Sequence, residues 1–256
     1  VAVRQDTAFI AASVTDNRFI DSGYIRRLDR LSGWQRRAWL HGDWDIAAGQ
    51  FFNNFRRDIH VVNNFDQSRA VEWFGALDYG FKHYTVFLLA CKDGDGDIYI
   101  IAEHAERRLL PEQNSRSMRQ LLTRHMLHPE SLRWIAAGTD CFSTQHDGFT
   151  IQQQYQKHGF KLRPANTDRI NGWAQMLRLL GDPDRGIKPQ LFIHERCARL
   201  IECIPSLQHD PHRPEDVLKV DVDDETGEGG DDTADALRYL VNYKHPVLRQ
   251  VKLTGW

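Results

Sequence analysis

The chain has 256 residues, and at about 150 residues per domain this allows one large domain or two small ones. Hydrophobic residues make up 41% and charged residues 27%, the balance of a globular protein, and no apolar run nears the roughly 18 residues a membrane-spanning helix needs. The net charge of -2 does not by itself argue for a nucleic-acid, membrane or acidic partner.

In chain order, Val1–Asp6 is no basic-then-apolar leader and no initiator Met precedes it, so a fragment or processed product is expected. Asp21-Ser22 can cap a helix carrying Tyr24, Leu28 and Leu31, and Ser32 a second one carrying Trp34 and Ala38, with His41-Gly42 as a stop. A polar, Asn-rich passage from Asn53 to Asp66 follows. The expected division is therefore a helical, linker-like piece over 1–66 and a separate domain over 67–256.

From Val71 the pattern changes to strands. Val71–Leu77, Tyr84–Cys91 and Ile98–Glu103 are expected strands, the last two joined by Lys92-Asp93-Gly94-Asp95-Gly96-Asp97, whose Asp and Gly residues suit a hairpin. Expected next are a helix over Ser115–Leu127, a strand at Trp134–Ala137, a helix at Ile151–His158 and a strand at Phe160–Arg163. A helix over Asp168–Leu180, a strand at Gln190–His194 and helices over Arg196–Cys203 and Asp231–Tyr243 complete the chain. Three meandering strands followed by alternating helices and strands describe an α/β fold, a mixed sheet with helices on both faces.

Acidic residues stand at the ends of three of these elements. Asp78 ends the first strand, Asp140 follows the fourth, and Asp231, Asp232 and Asp235 open the last helix, where Asp232 and Asp235 share a face with Ala236 and Tyr239. If these carboxylates converge, unit charges about 5 Å apart repel by roughly 3 kcal/mol at an effective dielectric of about 20. Protonation or a divalent cation must then relieve them, and all-oxygen ligands suit Mg²⁺ or Mn²⁺ better than zinc. Singly, Asp231 and Asp232 could equally cap a helix, and Asp78 could open a turn.

Other patterns are weaker. Asp93, Asp95 and Asp97 imitate the start of a calcium loop, but Ile98 occupies the glycine position and His104 the closing glutamate. His125 with His128, and His209 with His212, have no convincing Cys or Glu partner. The four cysteines, Cys91, Cys141, Cys197 and Cys203, are expected as reduced, packed thiols in a cytosolic setting. No Gly-Lys dipeptide occurs, so the phosphate-binding loop of an ATPase is missing. Basic residues exceed acidic ones between Glu106 and Arg199, while Glu215–Asp235 is strongly acidic, as suits a chain that holds a polyanion beside cations and equally suits solvated faces of opposite sign.

The stretches Trp39-Leu40-His41-Gly42-Asp43-Trp44-Asp45, Leu77-Asp78-Tyr79-Gly80, Thr139-Asp140 and Asp231-Asp232-Thr233-Ala234-Asp235-Ala236-Leu237-Arg238-Tyr239, in this order and spacing, resemble the large terminase subunit of tailed bacteriophages. Asp168-Arg169-Ile170-Asn171-Gly172-Trp173 and Ile204–Asp210 look like that family's intervening segments. The resemblance implies an RNase H-like nuclease domain over 67–256, preceded by the tail of an ATPase domain and its linker. It further implies a metal-dependent endonuclease that cuts concatemeric double-stranded DNA in the host cytoplasm at the procapsid, with a portal protein and a small terminase subunit as partners and no membrane. Carried over by position, Asp78 and Asp140 match the first two metal ligands and Asp232 with Asp235 the third acidic site, for one or two Mg²⁺ or Mn²⁺ ions. Many family members carry Asp-His where this chain has Asp231-Asp232, so Asp231 is an alternative ligand. Lys82, Arg163, Arg169 and Lys188 are expected phosphate contacts, chosen because they stand near element ends. A silent DNA-holding or portal-docking module, and a transposase-like strand transferase on the same fold, are the competing readings.

Overall fold

A computed structural model describes residues 13–17, 19–29, 49–145, 148–223, 225 and 229–243. The expected helix around Trp34, the stop at His41-Gly42 and the Trp39–Asp45 stretch lie outside the described residues. Seven strands form one sheet: β1 (Val61–Val62), β2 (Ala70–Asp78), β3 (Tyr84–Asp93), β4 (Ile98–Arg107), β5 (Ile135–Ala137), β6 (Leu162–Pro164) and β7 (Leu191–His194). Their spatial order is β1-β7-β4-β3-β2-β5-β6. The β2–β3 and β3–β4 pairs are antiparallel, whereas β2–β5, β5–β6, β4–β7 and β1–β7 are parallel. The helices are α1 (Ser22–Asp29), α2 (Arg57–His60), α3 (Pro111–Arg124), α4 (Ile151–Lys157), α5 (Arg169–Leu180), α6 (Ala198–Ser206) and α7 (Asp232–Asn242).

Alternation along β3 builds two cores. Val86, Leu88 and Ala90 join Phe74 and Ala76 beneath α5, α6 and α7, while Phe87 and Leu89 face the opposite way, onto Met118 and Leu122 of α3 and Tyr155 of α4. Asp78 continues the Phe74–Ala76 side of β2, the face that α7 covers. This parity decides which helix the carboxylate meets. Among the described residues no helix is long and apolar enough to cross a membrane, and all four cysteines are buried free thiols.

The strands and helices expected from Val71 onward are present, whereas α2 and β1 were not expected, and several element ends differ from the expectation. Helix α3 starts at Pro111, four residues before the expected Ser115, because Pro fits the first helical position and Gln113 Oε1 accepts the Leu110 N–H at 2.9 Å. Helix α6 runs to Ser206, and its first turn is capped from β4, where Glu103 accepts the N–H groups of Arg199 and Leu200 at 2.7 and 3.0 Å. No local sequence signal marks that cap. Asp168 caps α5 by accepting the Asn171 N–H at 3.1 Å, and Thr150 with Gln153 forms a reciprocal capping box on α4.

Residues 50–62 fall on the linker side of the expected division at residue 66, yet they pack with the sheet. Phe51, Phe52 and Phe55 are buried in the α5–α7 core, the Phe51 N–H donates to the Leu207 carbonyl at 2.8 Å, and β1 extends the sheet beyond β7. Asn-rich composition signals a linker, whereas three phenylalanines in five residues anchor this one.

Helices α5 and α7 approach closely through Gly172, where an added Cβ would lie 2.4 Å from Arg238 Cγ. Arg238 is 2% exposed; its Nε donates to Asp235 at 3.1 Å, and its guanidinium lies over the Trp173 and Tyr239 rings. Gly172→Val is therefore expected to destabilise the fold by about 1–3 kcal/mol through overpacking, read as a lower midpoint in thermal unfolding.

Candidate active site

Strands β2 and β5 lie side by side, run parallel and end together. Asp78 is the last residue of β2, and Asp140 lies in the 3₁₀ turn Thr139–Phe142 just beyond β5. Gly138 leaves room for that turn, since a Cβ there would stand 2.6 Å from Asp140 Oδ1 and 3.5 Å from the Tyr239 ring. Helix α7 packs across β2, β3 and β5, so its amino-terminal Asp231, Asp232 and Asp235 arrive over the same strand ends. The fold thus collects all five acidic residues singled out in the sequence.

Crowding acts on Asp78, Asp231 and Asp232. Burial pushes the Asp78 carboxyl well above the ordinary carboxylate range, and repulsion from Asp235, Asp232, Asp140 and Asp231 pushes it further. Asp78 retains some exposed area, but the packing around it is dense. Asp231 is pushed up to about 6, chiefly by burial and then by Asp235, with the Arg169 guanidinium opposing. Burial raises Asp232 too, countered by His83, Arg199 and the backbone N–H of Tyr84.

Asp231 stands at the N-cap position of α7, but its side chain makes no capping hydrogen bond. Its Oδ2 and that of Asp232 are buried without a hydrogen-bond partner. Helix capping therefore does not account for these two side chains, although either reading was open in the sequence.

Two arginines border the acids. Arg238 holds Asp235, as above, and also donates to the Thr167 carbonyl at 2.9 Å. Arg169 is ion-paired with Asp216 at 3.0 Å and with Asp231 and Asp235 at 3.7 Å each. Arg169, expected as a phosphate contact, is thus engaged with carboxylates. Lys82 is exposed in the turn between β2 and β3, at the same end of the sheet as Asp78. Arg163 is exposed on the edge strand β6. Lys188 is exposed just before β7; because β7, β4 and β2 run in the same direction, it lies at the opposite end of the sheet from Asp78.

Asp216, Arg199, His83 and Tyr84 at this site went unrecognised in the sequence. Asp216 looked like one more charge in an acidic stretch, and nothing local ties it to Arg169 or to the Trp173 indole N–H, which it accepts at 2.9 Å. Arg199 lies over the Tyr84 ring, 3.6 Å from its centroid, and donates to the Gly229 carbonyl at 2.7 Å. Elsewhere, Asp93 is buried at the hairpin, where Oδ1 accepts the N–H groups of Asp95 and Asp97 at 3.0 Å each and Oδ2 pairs with Arg69 at 2.8 Å. That is turn chemistry, in line with the expectation.

Among the described residues no three His, Cys, Asp or Glu groups are gathered into a ready-made metal-ligand set. The donor chemistry nevertheless fits a hard divalent cation: the side chains are carboxylates, and two of their oxygens are buried without a donor. What is present is a set of oxygens that a cation could draw together.

A mixed sheet of this order, with three antiparallel strands extended by parallel ones and helices on both faces, is consistent with an RNase H-like fold. No protein-family model and no curated protein sequence matches the chain. Among solved structures it is similar to the large terminase of the thermophilic bacteriophage D6E in complex with ADP, with a TM-score of 0.60 and 19% identity over 90% of this chain and 54% of that one. It is also similar to the P22 large terminase nuclease domain, with a TM-score of 0.56 and 16% identity over 77% of this chain and 92% of that domain. The chain thus spans about half the length of the D6E large terminase. At such identities the likeness is one of fold.

Because the folded-state value of Asp231 lies above its ordinary 3.8, the charged form is disfavoured by folding and stability is lost as pH rises from 3.8 through about 6. Without divalent cations, Asp231→Asn is expected to gain on the wild type by up to about 3 kcal/mol between pH 3 and pH 8 in denaturant unfolding. A pH-independent difference would contradict the stated environment of this carboxyl.

Proposed function

We propose that this chain is the nuclease portion of a phage DNA-packaging terminase and hydrolyses phosphodiester bonds of concatemeric double-stranded DNA with a carboxylate-held divalent cation. One observation carries this reading: Asp78 lies within the repulsive field of four other carboxylates brought from separate element ends. A cluster that costs folding free energy persists where it serves binding or catalysis. The fold shared with the P22 large terminase nuclease domain supports it.

In this reading Asp78, Asp140 and Asp232 hold Mg²⁺ or Mn²⁺, with Asp231 or Asp235 as a further ligand. The cation, when bound, supplies Lewis-acid chemistry, lowering the pKa of water and offsetting charge on the phosphodiester. The protein's own groups do the rest. Asp78 and Asp140, at the ends of two hydrogen-bonded strands, hold their carboxylates on a rigid base. Burial and Asp235 push Asp231 up to about 6, so its carboxyl holds a proton at mildly acidic pH and would serve as a ligand in its ionised form. Arg238 fixes Asp235 through Nε and so keeps the first turn of α7 in register with the sheet. Lys82, exposed in the turn that follows Asp78, is placed to meet a backbone phosphate.

The wider assignment follows from the same reading. The ATPase portion of a longer chain, the portal protein and the small terminase subunit are its partners, and the procapsid in the host cytoplasm is its place of action.

Incubation of the chain with supercoiled plasmid in Mg²⁺, Mn²⁺ or EDTA tests the proposal, beside Asp78→Ala. Cation-dependent nicking is expected, falling by at least about 100-fold in the variant. Cleavage that survives Asp78→Ala, or no cleavage with either ion by folded protein that binds DNA, would reject it, the second outcome in favour of a docking module. DNA binding should weaken with salt, with a log–log slope of roughly -0.9 per phosphate neutralised.

A further inference from the structure

Arg169 opens α5, and its guanidinium is gripped from one side. Nε donates to the two carboxylate oxygens of Asp216 at 3.0 and 3.3 Å, and one terminal nitrogen donates to the Val217 carbonyl at 3.0 Å. Asp216 is itself held by the Trp173 indole N–H at 2.9 Å and the Val217 N–H at 2.8 Å. The guanidinium also lies over the Trp173 ring, 5.3 Å from its centroid. Such a fork-and-face grip is specific to arginine.

The remaining terminal nitrogen faces the acidic site and stops short of it. It stands 3.7 Å from Asp231 Oδ2 and 3.7 Å from Asp235 Oδ2, within ion-pair range but beyond hydrogen-bond distance. Asp231 is only 6% exposed, and its Oδ2 has no hydrogen-bond partner. Arg169 therefore lends these carboxylates positive charge without taking up the Oδ2 lone pairs in a hydrogen bond. Nothing in α5 alone sets that distance; the Asp216 grip does.

We propose that Arg169, held back by Asp216, is the resident counter-charge of the acidic site: it lowers the affinity for a divalent cation while keeping the carboxylate oxygens open to receive one. The inference rests on the reading of the cluster as a divalent-cation site. Two opposed consequences follow. Removing the guanidinium removes a competing positive charge, so cations bind more tightly. Weakening the Asp216 grip frees the guanidinium to move onto Asp231 and Asp235 as a hydrogen-bonded rival, so cations bind less tightly.

Mn²⁺ titration followed by electron paramagnetic resonance of the free ion reads affinity without DNA or turnover, with circular dichroism as the check on folding. Arg169→Gln is expected to bind Mn²⁺ at least about tenfold more tightly than the wild type. Asp216→Asn is expected to bind it several-fold more weakly, and to have no further effect in the Arg169→Gln background. Wild-type binding that Arg169→Gln leaves unchanged or weakens would overturn the inference and leave the cation site standing. If Arg169→Gln does not fold, Asp216→Asn decides, and unaltered or tighter binding by that variant overturns the inference. Absence of Mn²⁺ binding in both the wild type and folded Arg169→Gln would overturn the cation site itself, and the inference with it.

Discussion

Repulsion among like charges at the end of one sheet is the constraint to which the surrounding structure answers. Asp78, Asp140, Asp231, Asp232 and Asp235 come from three separate elements, and the other four raise the cost of charging Asp78 where β2 and β5 finish. Asp78, Asp231 and Asp232 are withdrawn from water and face neighbours of their own sign, so their charged forms are disfavoured. The fold meets this cost with fixed positive groups. Arg238 bonds Asp235, Arg169 stands off from Asp231 and Asp235, and Arg199 acts on Asp232. The acids remain a set of open oxygens rather than a closed network of salt bridges.

Those cations are effective because packing immobilises them. Arg238 is nearly inaccessible, and burying a guanidinium is costly unless its donors and its face are engaged. Here Asp235, the Thr167 carbonyl and the rings of Trp173 and Tyr239 engage it. Gly172 allows α5 to lie against that side chain, so one missing Cβ connects helix packing with the charge balance of the site. Asp216 plays a similar part from outside the sheet, joining the segment around residues 210–217 to Trp173 and Arg169. The acidic cluster and the α5–α7 core are consequently one mechanical unit.

Much of this architecture was legible in the chain. The alternation in Tyr84–Cys91, the hairpin chemistry of Asp93–Asp97 and the cap at Asp168 each have a local physical cause, and the corresponding elements are present. The positions of Asp78, Asp140 and the 231–235 group at element ends were legible for the same reason. Less legible were features whose partners lie far along the chain. The Glu103 cap on α6 joins residues 96 and 97 positions apart, and β1 exists because Val61–Val62 finds the edge of β7. Nor did composition show that Phe51, Phe52 and Phe55, at the start of the Asn-rich passage, enter the core.

The sequence by itself determined the succession of strands and helices from Val71 onward, their amphipathic faces and the acidic residues that stand at the ends of three of them, because periodicity, capping and turn chemistry act over a few residues. Tertiary structure alone decided which charges meet. It set Arg169 against carboxylates, left Lys82 exposed in the turn that follows Asp78 and placed Lys188 at the far end of the sheet, although all three were indistinguishable as cations near element ends. It also left Asp231 Oδ2 and Asp232 Oδ2 without donors. Strand direction and helix packing fix these outcomes, and both depend on contacts between residues tens to more than a hundred positions apart.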